Sequence, residues 1–420
     1  MQPDAQRAGP VRPGERILFI DILRGMALFG ILAANMRAFF APQMVYENIG
    51  LLFHGTADLW AQGMINALIQ VKFITIFSFL FGLGFAIQMS RAEQRGARFL
   101  SFYPRRLLAL AFFGLVHGIL IWHGDILLTY ALSGAMMLLF RKRRQKTLLW
   151  WAGSLISLPL AASGVFACIY YSRFRPQWMT PKPPDMNKIQ WLIQAYSQGN
   201  FRQVMAANWY QWLHMLPTQF VAIYLLSLFL LGMWVWRAGV FDRLEELRPV
   251  FVRVCAWCLP IGLAMNIYIA VAMAVIPRDR PTLAGWIAQS FYMLGAHILS
   301  AGYVSGLVLL YLNADWRRWL TPFAAVGRMA LTNYLLQSVL CTLFFYHLTS
   351  RLYGKVGPAW GLAPTVVLYS AQVAGSNWWL RRYRFGPMEW LWRWMTYGNV
   401  PALRHEEPQP ELVAEGAPRA

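Results

Sequence analysis

Acidic side chains are few in this chain: Asp and Glu together number 18 in 420 residues, against 38 Lys and Arg, and charged residues make up only 13%. Soluble domains put about a quarter of their residues into charge, so this composition excludes a globule covered by water on all sides. Cysteine is scarce too. All 4, Cys168, Cys255, Cys258 and Cys341, lie in or beside apolar runs, which excludes a disulfide framework. Cys255 and Cys258 form a CxxC without a second ligand pair, so they read as packed thiols and not as a zinc site. A cleavable signal peptide is also missing, because residues 1–16 carry Pro and Arg and run without an A-x-A site into an apolar segment. The first helix is therefore expected to act as an uncleaved signal anchor. No internal repeat or low-complexity domain is visible.

What is present is apolar: 58% hydrophobic residues and 15% aromatic. Long apolar runs fall at 17–38, 68–89, 107–122, 126–140, 148–171, 216–236, 250–276, 285–312, 323–346 and 361–380. The expectation is an all-α polytopic membrane bundle of about ten transmembrane helices, the third and fourth being short. One membrane domain, residues 17–398, follows an N-terminal segment 1–16 and precedes a Pro- and Glu-bearing tail 399–420, both expected to be disordered and cytoplasmic. The net charge of +20 follows the loops and does not gather on one surface, which argues against a nucleic-acid partner. Basic clusters precede the first span and follow the second, fourth, sixth, eighth and tenth, so the positive-inside rule places both termini in the cytoplasm. The segment 172–215 would then be external, and its stretch 189–215, rich in Trp, Tyr and Gln, is expected to lie on the outer surface or to roof a cavity.

Charge inside a span is where function is sought, because a charge at mid-bilayer costs about 2.5–3.5 kcal/mol on insertion scales. The first span, ILFIDILRGMALFGILAANMRAF, carries Asp21 and Arg24. At helical spacing Asp21, Arg24, Leu28 and Asn35 share an arc of about 60°, a polar stripe along one face. An internal Asp21–Arg24 ion pair accounts for the two charges, and the competing reading has Arg24 hold an anionic group while Asp21 fixes its rotamer. The third and fourth spans form a tight hairpin turning at His123, Gly124 and Asp125. Asp125 is placed to cap the fourth helix. His117, inside the third, is either a hydrogen-bonded core imidazole or, with a carboxylate nearby, a proton-transfer group. His54 belongs to the first external loop. Asn333 and Gln337, four apart, suit interhelical hydrogen bonding, and Arg328 sits where it can snorkel or meet a phosphate. The final FGPMEWLWRWMTYG reads as an interfacial anchor.

Five segments, FIDILRGMALFGILAAN, KFITIFSFLFGLGFAIQ, RRLLALAFFGLVHGILIWHGDILLTYAL, VGRMALTNYLLQSVL and GPMEWLWRWMTYG, resemble in content and order the YeiB-like family of bacterial inner-membrane proteins, also called domain of unknown function 418. That family is distantly similar to the transmembrane acyltransferases, namely the acyltransferase-3 and heparan-alpha-glucosaminide N-acetyltransferase groups. The resemblance implies a bacterial inner-membrane location and transfer of an acyl group from cytoplasmic acyl-CoA to an external sugar hydroxyl or amine. The DILRG segment is similar to their first-helix motif. Acyltransferase-3 enzymes have a His eleven residues after the basic residue, and here that position is Asn35. The N-acetyltransferase group has Asn there and its working His in the following loop, where this chain has His54 at a different spacing. On this reading His54 or His117 is the base, Asn35 an oxyanion donor, and Arg24, with Asp21, Asp125, Arg328, Asn333 and Gln337, the surroundings of the substrate and acyl-CoA. Beyond acyl-CoA no bound cofactor or metal is expected; the partners are the bilayer, an extracytoplasmic acceptor and, as an option, further copies of the chain. Two other readings stay open: a small-anion transporter and a non-catalytic membrane scaffold.

Overall fold

The computed structural model describes residues 17–46, 49–172, 184–216, 221–275, 282–346, 349–400 and 402–404. The expected terminal segments 1–16 and 405–420, and residues 173–183 of the expected external segment, lie outside these. The regular secondary structure of the described residues is all helical, with one isolated bridge between Tyr383 and Arg404.

The first span is α1 (Leu18–Phe40). A helical turn at Gln43–Tyr46 leads to α2 (Thr56–Met64), a π-helical turn (Ile65–Ile69), and then α3 (Lys72–Gln94). Helix α4 (Tyr103–Val116) also ends in a π-helical turn (His117–Ile121) and reverses into α5 (Leu127–Met137). Then come α6 (Gln145–Tyr171), α7 (Met186–Gln198), α8 (Phe201–Met215), α9 (Val221–Arg237), α10 (Arg248–Val275) and α11 (Leu283–Leu312). The chain finishes with α12 (Ala314–Arg328), α13 (Ala330–Phe345), α14 (Pro358–Leu380) and α15 (Pro387–Tyr397).

Among the described residues, six helical stretches are long and apolar enough to cross a membrane: Leu18–Phe40, Thr56–Gln94, Phe99–Ile121, Gln145–Tyr171, Arg248–Val275 and Gly285–Leu312. Shorter apolar helices cover Leu127–Phe140, Val221–Arg237 and Ala330–Phe345. Where they are described, the expected spans fall on helix, but two do not run as one: the second, 68–89, is interrupted at Val71, and the ninth, 323–346, at Met329. The ninth is divided there between α12, which is amphipathic, and α13, which is apolar. The outer face of α6 stays open, with Trp150 77% exposed, an arrangement suited to lipid and not to water.

Glycine sets the close approaches. A Cβ on Gly25 would collide with the Phe323 carbonyl, and one on Gly327 with the Asp21 carbonyl, so α1 and α12 touch backbone to backbone. Gly82 and Gly232 do the same for α3 and α9. The first contact brings Arg24 and Arg328, each adjacent in sequence to one of these glycines, to the same place. Side-chain caps start α7 and α8. Asp185 caps α7 through the Lys188 amide, and Asn200 with Gln203 makes a capping box that starts α8. The expected surface stretch 189–215 is thus two helices joined at Gly199, and α8 packs over the π-helical turn that follows α4.

Candidate functional site

A cavity of about 300 Å³ opens at the end of the bundle where α1 begins and α3 ends. Its wall carries six arginines, Arg24, Arg91, Arg95, Arg106, Arg328 and Arg393, against two carboxylates, Asp21 and Glu389. Deeper in, the lining turns apolar and aromatic, with Leu28, Ile31, Phe81, Leu110, Tyr130 and Tyr334. From Ile17 to Ile31 the cavity follows α1 for fourteen residues, about 21 Å of helix. An amphiphile suits this shape, its anionic head among guanidiniums and a slender chain in the bundle.

The side chains at the mouth are held in place. Arg24 Nη1 donates to Asp21 Oδ1 at 3.1 Å, the internal pair expected from their spacing. The Arg106 guanidinium lies 3.5 Å from the centre of the Trp392 ring, whose Nε1 donates to the Arg106 carbonyl at 2.9 Å. Glu389 reaches from α15 to the first turn of α13, where its Oε1 accepts from Leu331 N at 2.6 Å and Thr332 N at 3.1 Å, and its Oε2 from Thr332 Oγ1 at 2.6 Å. It thereby caps the helix that the break at Met329 leaves open. Burial pushes the Glu389 carboxyl up, and the hydrogen bonds from Thr332 and Leu331 oppose that rise. Helix α15, expected from its sequence to be an interfacial anchor, closes one wall of the cavity.

Beyond the apolar end lies His117. Its ring packs 5.2 Å from that of Tyr334, which lines the cavity, and its Nδ1 is 2.9 Å from Asp125 Oδ1. Both residues are buried. Asp125 Oδ2 accepts from the Leu128 amide at 2.9 Å, so the expected cap and the expected partnership with His117 are both present on one carboxylate. His117 Nε2 is buried without a hydrogen-bond partner. The π-helical turn explains its placement: the Trp122 amide bonds the His117 carbonyl, swelling the helix end at the reversal. On the far side stands a polar cluster under α7 and α8. Gln211 Nε2 lies 3.3 Å from His123 Nδ1 and donates to Tyr196 Oη at 2.9 Å, and Tyr196 donates to Asn208 Oδ1 at 2.8 Å. Burial, reinforced by nearby His117, pushes the His123 imidazole down to about 3.

The other residues singled out in the sequence are dispersed. Asn35 is half-buried on α1 beyond the cavity, which ends at Ile31, so the polar stripe of the first span is only partly a cavity wall. His54 is exposed in the loop before α2, away from the cavity. Asn333 and Gln337 join α13 to α14: Asn333 Nδ2 donates to Ser376 Oγ at 3.0 Å and Gln337 Nε2 to Gln372 Oε1 at 2.8 Å, the interhelical bonding expected of them. Arg328 does reach the cavity. Arg91, Arg95 and Arg106, which belong to the basic cluster after the second expected span, line the cavity as well, and so do Glu389 and Tyr334, which were not among the expected site residues. A signal existed, because Gln88, Arg91 and Arg95 recur at three and four residues on one face of α3, as do Glu389 and Arg393 on α15.

The family model described as protein of unknown function (DUF418) matches residues 235–399. The chain is 38% identical over 405 residues to the Bacillus subtilis (strain 168) protein YxaH, a match covering 92% of this chain and 96% of that one. It is 30% identical over 398 residues to Escherichia coli (strain K12) YeiB, with 91% and 96% covered. The chain belongs to the DUF418 family. Both relatives match across almost the whole length, so this DUF418 protein shares with them the N-terminal half that contains Arg24, His117 and Asp125, outside the segment matched by the family model.

Proposed function

We propose that this DUF418 protein is a transmembrane acyltransferase of the bacterial inner membrane, taking an acyl group from cytoplasmic acyl-CoA and passing it to an extracytoplasmic hydroxyl or amine. The observation that carries the reading is an arginine-walled cavity whose apolar end abuts a buried His–Asp pair. The cavity mouth lies among the Arg-rich loops that the positive-inside rule assigns to the cytoplasm. Guanidiniums hold the phosphates of CoA bidentately. The apolar depth along α1 takes the slender arm, which brings the thioester toward Tyr334 and His117.

Asp125 fixes the tautomer of His117 and leaves Nε2 to act. The acceptor O–H or N–H gives its proton to Nε2, its heteroatom bonds to the thioester carbonyl carbon, and the C–S bond breaks. The thiolate then takes the proton back from the imidazolium. His117 replaces His54 as the preferred base, because only His117 combines a carboxylate partner with a position behind the cavity. Asn35 has no contact with the cavity that supports an oxyanion role.

The test is made with protein in nanodiscs. CoA is expected to bind, to bind more weakly to Arg24→Gln, and to bind His117→Gln unchanged, while acyl transfer is lost in His117→Gln and kept in His54→Ala. Absence of CoA binding together with Arg24-dependent uptake of a small anion into liposomes overturns this reading in favour of transport.

A further inference from the structure

A second cluster of buried cations lies at the other end of the bundle. Lys72 is the first residue of α3, and Gln88, which lines the arginine cavity, is sixteen residues on, about 24 Å along the helix. Its side chain is fully buried. The helical run from α2 into α3 is interrupted there by the π-helical turn and by Val71, whose φ of 73° is rare for a β-branched residue. Carbonyls on either side of the break accept from side chains. Lys72 Nζ donates to Asn66 O at 2.7 Å, Tyr303 Oη to Leu68 O at 3.1 Å, and Ser300 Oγ to Lys72 O at 2.9 Å.

One carbonyl is a small return for an ammonium buried in a membrane bundle. An ammonium has three protons to donate, and one of those on Lys72 goes to the Asn66 carbonyl, with no ion pair to a carboxylate among the described residues. A second cation stands beside it, since Arg37 Nη1 donates to the side-chain oxygen of the same Asn66 at 3.1 Å. One turn along the face of Lys72, the Thr75 hydroxyl is 6% exposed and without a hydrogen-bond partner. The nearest aromatic face is Tyr292, whose ring centre is 6.0 Å from Nζ. A purely structural stitch needs a donor but not a charge, and an isolated buried charge is destabilising. Intramembrane ionisable residues at broken helices mark ion and substrate sites for this reason.

We propose that Lys72, Thr75 and Arg37 form a binding site for a small monovalent anion, a halide or a carboxylate, in the half of the bundle opposite the arginine cavity. The anion accepts from the spare Lys72 protons and the Thr75 hydroxyl and neutralises the buried ammonium. The site does not depend on the acyl-transfer reading.

Thermal unfolding of the purified protein in detergent, followed by tryptophan fluorescence at constant ionic strength, tests it. Sodium chloride, sodium acetate and sodium gluconate are compared. A saturable rise in Tm is expected with chloride or acetate and not with bulky gluconate. A response to chloride identifies a free halide as ligand, and a response to acetate alone identifies an organic carboxylate. Lys72→Met is expected to abolish the response, Thr75→Val to weaken the apparent affinity about tenfold, and Arg24→Gln, at the other end, to leave it intact. An anion response unchanged in Lys72→Met, or no response in the wild type, overturns the proposal. If Lys72→Met fails to accumulate, Thr75→Val decides, and an unchanged affinity in that variant overturns it as well.

Discussion

His117 and Asp125 are linked across the α4–α5 reversal by a 2.9 Å contact between Nδ1 and Oδ1, with the second carboxylate oxygen committed to the Leu128 amide. Asn at position 125 keeps an oxygen for the cap but no longer stabilises an imidazolium. Asp125→Asn is therefore expected to leave folding stability within about 1 kcal/mol of wild type while acyl transfer falls by about two to four orders of magnitude. Differential scanning fluorimetry and a single-turnover assay check the two halves. An equal loss in both would assign Asp125 to structure alone.

Asp21 and Arg24 form the one ion pair described within α1, with side-chain exposures of 14% and 27%. Removing one partner leaves an uncompensated charge, which costs about 3–5 kcal/mol for a fully buried pair. The opening of Arg24 onto the cavity lowers that figure. Asp21→Asn and Arg24→Gln should each reduce the monodisperse fraction in fluorescence-detected gel filtration, and the double substitution should recover part of it. Normal accumulation of both single variants would show that the pair is not coupled to folding.

Gly327 is predicted to be the least tolerant glycine near the site. Its missing side chain admits the Asp21 carbonyl, and backbone cannot move aside as a side-chain tip can. Gly327→Ala should cost about 1–3 kcal/mol or more through overpacking, and by separating α1 from α12 should weaken CoA binding. Gly153→Ala, where nothing lies within 4 Å of the added methyl, is the matched control.

Glu389 supplies a pH dependence. Burial raises its carboxyl above the ordinary 4.5, so between that value and its folded-state value the folded protein holds the proton more firmly than the unfolded chain. The resulting stability is fully present below pH 4.5 and is lost as pH rises through the folded value. Glu389→Gln should flatten this part of the Tm-versus-pH curve. Curves of equal slope would contradict the assignment.

Sidedness is checked with cysteines introduced at the exposed positions Lys142 and Gln198, the native cysteines being replaced by serine. A membrane-impermeant maleimide added to intact spheroplasts should label position 198 and not 142. Labelling of both, or of 142 alone, contradicts the expected topology.

The sequence by itself determined the all-helical architecture with apolar helices of membrane-spanning length, because apolar length and helical period are local properties of a chain. It also determined the Asp21–Arg24 pair and the Asp125 cap, whose partners lie three residues away. Partners far apart in sequence were beyond its reach. The arginines of the cavity come from α1, α3, α4, α12 and α15, and a helical period shows which residues share a face but not which faces converge. Convergence was decided by packing, above all by the Gly25–Gly327 contact, and by two breaks that hydropathy does not register. The break at Met329 turned an expected single span into two helices and opened the end that Glu389 caps. The break at Val71 left Lys72 inside the bundle, where a run of apolar neighbours had hidden it.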